Sequence, residues 1–170
     1  MLGSSITVKI ESLNPVRSFK GRGTEKALSR LAQREEAPTA VCASAGTCEG
    51  AGTIGLELLG RGTQFDTLVI ALGGGALASG VGHVAKSLAP HVEVVAVQPT
   101  GAPAMALSLR RGSVVATDTV ADGVVEPSAA LGVATVLENR ERFTGRRVAT
   151  IICGSNVATS DYERWVLRPG

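Results

Sequence analysis

Residues 6–10, Ile-Thr-Val-Lys-Ile, alternate apolar with polar side chains at a period of two, which predicts a short strand with one exposed face. Asn14-Pro15 breaks the pattern. Over Thr24–Arg34 the period lengthens, and Ala27, Leu28, Leu31 and Ala32 form one stripe of a helix with Thr24 as its cap. Pro38 ends the following linker, and Thr39–Ala43 predicts a short buried strand running into Ser44-Ala45-Gly46. Glycines 46, 50 and 52 then predict tight backbone ahead of a helix from about Thr53 to Leu59. The clearest unit follows: an apolar run over Thr67–Leu72, a glycine-rich loop over Gly73–Gly80, a helical run over Val81–Leu88, and a second apolar run over Val92–Val97 broken only by Glu93. Strand, loop, helix and strand in that order make a βαβ unit, so its strands are expected to be parallel and its crossover right-handed. Helices are predicted over Ala102–Arg110 and Ser128–Leu137, and a last buried strand over Arg147–Cys153, ending in Gly154-Ser155-Asn156.

Composition narrows the fold. With 170 residues, 44% of them hydrophobic, the chain can bury a core. Aromatics are only 3% while glycines number 21, so the apolar volume comes from Ala, Val, Leu and Ile, the balance of a parallel α/β protein rather than a β-sandwich. No repeat, low-complexity tract or linker divides residues 1–170, and one domain is expected. The net charge of +2 is small, and Lys and Arg are interspersed with Asp and Glu, so neither nucleic acid nor an acidic membrane is indicated. Arg110-Arg111 and Arg146-Arg147 read as solvated helix ends or turns. Cys42, Cys48 and Cys153 form no CxxC pair and leave an odd number, which fits free thiols in a reducing compartment, with Cys42 and Cys153 as buried structural residues. The amino-terminal residues carry no basic, then apolar, leader, and no stretch is apolar enough to span a bilayer; a cytoplasmic protein is the expectation.

Two features could carry chemistry. A glycine run between a parallel strand and a helix brings free N–H groups and the positive end of a helix dipole to an anion, and Gly73–Gly80 is such a place. Glycines can equally serve close helix packing, and the run is neither a GxGxxG fingerprint nor a P-loop, which leaves NAD and ATP as weak candidates. The second is Lys20. An isolated lysine is ordinarily a solvated charge, but this one follows apolar Phe19 and precedes Gly21-Arg22-Gly23 and a helix start, whose dipole would favour the neutral amine that imine chemistry requires.

The segment Lys9-Ile10-Glu11-Ser12-Leu13-Asn14-Pro15-Val16-Arg17-Ser18-Phe19-Lys20-Gly21-Arg22-Gly23 resembles the cofactor-lysine segment of pyridoxal-phosphate (PLP)-dependent serine/threonine dehydratases and serine racemases. Three more stretches resemble the same family. Gly73-Gly74-Gly75-Ala76-Leu77 is similar to its phosphate-binding loop, with Ala76 in place of a glycine; Cys153-Gly154-Ser155-Asn156 is similar to the segment whose serine faces the pyridine nitrogen; and Glu49-Gly50-Ala51-Gly52-Thr53 resembles a segment that precedes the phosphate-loop strand. The resemblance implies a fold-type II PLP enzyme, an open, mostly parallel twisted sheet flanked by helices. It implies Lys20 as the catalytic Schiff-base residue, with Phe19, Gly73, Gly74, Gly75, Ala76, Leu77 and Ser155 at the cofactor, and Ser44, Ala45 and Gly46 at the substrate. It also implies a small amino-acid substrate, L-serine or L-threonine, eliminated to a 2-oxo acid and ammonia, and a homodimer. Racemase and β-replacement chemistry share these motifs.

The chain departs from the family after Gly46. There the family continues with an asparagine that touches the cofactor and a loop around the substrate carboxylate, whereas Thr47-Cys48-Glu49 leads straight into a segment that lies far downstream in relatives. A second such junction lies at Ala121–Ser128. Most of the small, substrate-closing domain is therefore expected to be missing, which raises a noncatalytic PLP- or phosphate-binding remnant as the alternative to an enzyme. Some relatives bind a divalent cation after the strand that follows the phosphate loop; here Gln98 and the lack of an acidic neighbour make a poor hard-cation site, and no metal is expected.

Overall fold

A computed structural model of the chain describes residues 3–23, 48–60, 62, 64–118, 127–163 and 167. The helix expected over Thr24–Arg34, the strand over Thr39–Ala43, Cys42, the Ser44-Ala45-Gly46 segment and most of the second junction lie outside these residues. The described chain runs β1 (Ser5–Ile10), α1 (Cys48–Leu59), β2 (Thr67–Ala71), α2 (Ala76–Leu88), β3 (Glu93–Val97), α3 (Ala104–Arg111), α4 (Pro127–Glu138), α5 (Arg140–Phe143), β4 (Arg147–Ile152) and α6 (Thr159–Tyr162).

The strands form one sheet in the order β1-β4-β2-β3, every pair parallel. All five residues of β2 are buried, as a central strand covered on both faces demands. One face presents Leu68, Ile70, Ala149 and Ile151 to a core shared with Ala51 and Ile54 of α1 and Leu77, Val81 and Ala85 of α2. The other presents Val69 and Val148 to Val136 of α4 and Phe143 of α5. Each such Leu, Ile or Val side chain contributes about 1.5–3 kcal/mol on leaving water. The expected α/β class, an open parallel sheet flanked by helices, is the one observed.

Three element readings shift. Gly50 and Gly52 are not loop residues but sit inside α1, and the helix reaches back to Cys48. Helix glycines serve packing instead: a Cβ on Gly50 would strike the Gly23 backbone, one on Gly80 of α2 would strike the Cys48 carbonyl and come within 2.9 Å of the Ala51 Cβ, and one on Gly55 would come within 2.9 Å of the Val84 Cβ. Likewise α2 begins at Ala76, so the glycine loop proper is only Gly73–Gly75. In β1, polar Lys9 is half-buried while Val8 and Ile10 are 41% and 49% exposed. The strand is at the sheet edge, and Lys9 turns toward carboxylates on its inner face. At the amino end of the sheet Arg146 is not merely solvated, since it donates to Thr67 Oγ1 (3.0 Å) and Glu93 Oε2 (2.8 Å).

Candidate active site

Because the strands are parallel, their carboxyl ends share one edge, and each of three motifs follows one of them. The Lys20 turn follows β1, Gly73–Gly75 follows β2, and Cys153-Gly154-Ser155 follows β4. The central pair β2–β4 is in register only from Thr67–Val148 to Val69–Thr150, whereas β2–β3 continues to Ala71–Val97 and β1–β4 to Ile10–Ile152. The two middle strands thus part before their ends. Open α/β sheets bind ligands in such a crevice outside the carboxyl ends of the strands, and here the crevice lies between the glycine loop and Ser155.

On one side stands the amino terminus of α2. Gly75 caps it at φ +95°, a left-handed conformation that glycine takes without a Cβ penalty. The Ser79 N–H closes the first turn onto the Gly75 carbonyl at 2.7 Å, and no side chain caps the helix, so the earlier N–H groups face outward. A Cβ on Gly73 or Gly74 would meet nothing within 4 Å. Exposed backbone, open space and a helix dipole together fit a phosphate.

On the other side the Lys20 turn is zipped to the end of β4. Phe19 N–H donates to the Cys153 carbonyl (2.8 Å), Ser155 N–H to the Arg17 carbonyl (3.0 Å) and Glu11 N–H to the Ile152 carbonyl (3.0 Å). Asn156 adds its Nδ2 to the Val16 carbonyl at 3.1 Å. Inside the turn, the Asn14 side chain donates to the carbonyls of Glu11 and Ser18, each at 2.9 Å, and accepts from Val16 N–H at 3.0 Å. Lys20 and Ser155 are therefore carried by one hydrogen-bonded unit. Lys20 is half-buried and Ser155 exposed.

Behind the lysine lies a cluster that sequence reading left without a role. Glu11, only 3% exposed, accepts two hydrogen bonds from Arg22, through Nε and Nη2, and an ion pair from Lys9 at 3.0 Å. Arg22 also donates to both carboxylate oxygens of Glu57 on α1 (2.6 and 3.0 Å) and to Thr53 Oγ1 (3.1 Å). The hydrogen bonds from Arg22, then Lys9, hold the Glu57 carboxyl down at about 2, and the Arg22 guanidinium is pushed up by its bonds to Glu11 and Glu57. For Lys9, partial burial pulls downward, but the bonds to Glu57 and Glu11 outweigh it and the amine is raised. Charge was the only sign of this cluster in the sequence, with Lys9, Glu11 and Arg22 close together between apolar runs.

Of the residues expected at the site, Lys20, Gly73, Gly74, Gly75 and Ser155 come to the same edge of the sheet. Ala76 and Leu77 open α2, where a glycine is not required; the Leu77 side chain joins the core and leaves only its backbone toward the crevice. Phe19 is also a core residue, 8% exposed, and anchors the turn from beneath. Gln98 accepts the Ala106 N–H at 2.8 Å and so fastens the first turn of α3. No helix among the described residues is long and apolar enough to cross a membrane.

Fold and site define an α/β protein with an anion cradle and a lysine at one switch-point crevice. The comparisons agree with this class. The family model described as "Pyridoxal-phosphate dependent enzyme" matches residues 47–124. The chain is 31% identical to an L-threonine ammonia-lyase of Thermotoga maritima over 160 residues, covering 68% of this chain and 40% of that protein. It is 38% identical to a serine racemase of Oryza sativa subsp. indica over 81 residues, 46% of this chain and 24% of that one. The solved processed form of threonine deaminase isoform 2 from Solanum lycopersicum shares the fold, with a TM-score of 0.81 at 20% identity over 98% of this chain and 83% of that chain. These matches are to PLP-dependent enzymes of the serine/threonine dehydratase and serine racemase kind, and the chain shares the fold of the solved threonine deaminase. It spans less than half the length of either of the two curated relatives.

Proposed function

We propose that the chain is the cofactor-binding portion of a PLP-dependent lyase that converts L-serine or L-threonine to a 2-oxo acid and ammonia. The observation that carries the reading is the crevice between β2 and β4, flanked by an uncapped helix terminus on one side and by the unit bearing Lys20 and Ser155 on the other. The α2 amino terminus and the Gly73–Gly75 backbone would hold the phosphate, Ser155 would offer its hydroxyl to the pyridine nitrogen, and Lys20 would bond the cofactor through its amine. Bound there, the cofactor supplies an electron sink for the bond broken at the substrate Cα. Lys20 would take the α-proton; the β-hydroxyl would leave with a proton as water, and hydrolysis of the released enamine would consume one water and yield the 2-oxo acid and ammonia. Ser155, a neutral partner, suits elimination because it does not hold the pyridine nitrogen protonated. Ser44, Ala45 and Gly46 remain our candidates for the substrate carboxylate. The same reading carries a cytoplasmic homodimer.

A noncatalytic PLP-binding chain is the second reading, and a specific observation favours it. The 160-residue match to the Thermotoga protein takes in only 68% of this 170-residue chain, so a sizeable internal stretch of that relative has no counterpart here. Gly46 stands two positions from the start of α1, which leaves no room for a carboxylate-wrapping loop between them. Losing the groups that orient the substrate forfeits much of the rate. Assay of 2-oxo acid release from L-serine and L-threonine, with this chain and a full-length relative side by side, separates the two. Turnover abolished by Lys20→Ala supports the lyase; a chain that binds PLP yet releases no 2-oxo acid supports the second reading.

A further inference from the structure

We infer that Arg22 is a positioning residue for Lys20: its guanidinium, held by Glu11 on one side and by Glu57 and Thr53 on the other, sets where the amine stands relative to the glycine loop. The inference rests on the assignment of Lys20 as the cofactor-bonding residue.

The backbone bonds between the Lys20 turn and β4 fix the lysine against Ser155, but they run along the sheet. Nothing in them reaches the helix layer that carries the phosphate cradle. Arg22 does. Two residues past Lys20, it spans from Glu11 at the end of β1 to Thr53 and Glu57 on α1. That helix packs on α2 through glycine contacts at Gly55 and Gly80, and α2 holds Gly75 at its tip. A continuous path therefore joins the amine to the cradle.

The need for such a device follows from the local sequence. Gly21 and Gly23 flank Arg22 and bring no side chain to hold the turn. The guanidinium supplies what they lack, because the five hydrogen bonds it makes use all five of its N–H donors. Thr53 is itself fixed, donating its hydroxyl to the Gly50 carbonyl at 2.7 Å. An ammonium could not reproduce two forked carboxylate contacts in one plane. The burial of Glu11 makes one fork an interior contact, whereas Glu57, with its side chain 49% exposed, can be altered with little loss of packing.

The test compares wild type with Glu57→Gln, Arg22→Lys and, as a control at the opposite edge of the sheet, Arg142→Ala, which breaks a pair with Glu93. Three quantities are read: the rate at which the visible band of bound PLP develops, the pH midpoint of that band, and the melting temperature without cofactor. Borohydride reduction and peptide mass locate the attachment. Glu57→Gln is expected to melt close to wild type yet to acquire PLP at Lys20 about tenfold more slowly, with a displaced pH midpoint, since ångström-sized misplacement costs one to two orders of magnitude in rate. Arg22→Lys should show the same change enlarged, and Arg142→Ala neither change. Wild-type rate and midpoint in Glu57→Gln overturn the inference while leaving the cofactor assignment standing. Wild type that forms no adduct at Lys20 overturns both. Should Glu57→Gln not fold, Thr53→Val removes another acceptor of the same guanidinium, and wild-type behaviour there refutes the positioning role.

Discussion

Gly75 shapes the proposed phosphate cradle through its backbone alone. At φ +95° it lets the chain leave β2 and enter α2 within four residues, with the first helical N–H groups facing the crevice. A Cβ there costs about 1–2 kcal/mol in a left-handed conformation, and the chain can relieve the strain by turning those donors away. Gly75→Ala is therefore expected to lose most of its affinity for inorganic phosphate or PLP, while Gly73→Ala, with open space around it and no positive φ, stays within a factor of a few. Isothermal titration checks both. Lys20 and Ser155 stand out as candidates in the sequence because their neighbours resemble a known site. Arg22, Glu11 and Glu57 do not, because the contacts that give them meaning join residues 35 and 11 positions apart. Side-chain pairing across such distances leaves no period to read.

Alternation and apolar runs marked the strands well: β2, β3 and β4 lie within a residue or two of their expected bounds, and all are parallel. Helix starts were less visible. Gly50, Gly52, Gly75 and Gly80 are the same residue type, yet only Gly75 makes a turn, while Gly80 sits in a helix because the neighbouring helix leaves no space for a Cβ. Sequence records the glycine and not which neighbour excludes the side chain. A similar fit joins α4 to the sheet, where a Cβ on Gly132 would collide with Thr150 Oγ1. That hydroxyl is buried with no hydrogen-bond partner among the described residues. Gly132→Ala should cost roughly 1–3 kcal/mol by overpacking. Thr150→Val, which keeps the shape and removes an unsatisfied donor, should raise stability by about 1 kcal/mol. Thermal melts followed by circular dichroism read both signs.

The sheet orders its motifs by strand, not by position in the chain. Residues near 20 and 155 meet because β1 and β4 pair, and the glycine loop faces them because β4 pairs with β2 over only its first half. The edge position of β1 also explains the inversion of its pattern, since Val8 and Ile10 lie beyond the reach of the core while Lys9 turns in toward Glu11 and Glu57. What the sequence could show of the site was its inventory; the crevice itself depends on where pairing between two strands stops, which no local pattern encodes. The central claim is that this crevice holds PLP on Lys20. Its most direct test is to mix the purified chain with PLP, reduce with borohydride and locate the added mass by peptide sequencing. A pyridoxyl adduct on Lys20, lost in Lys20→Ala and weakened in Gly75→Ala, is the predicted result; reduction that labels only surface lysines such as Lys86, or an adduct on Lys20 indifferent to Gly75→Ala, would contradict it.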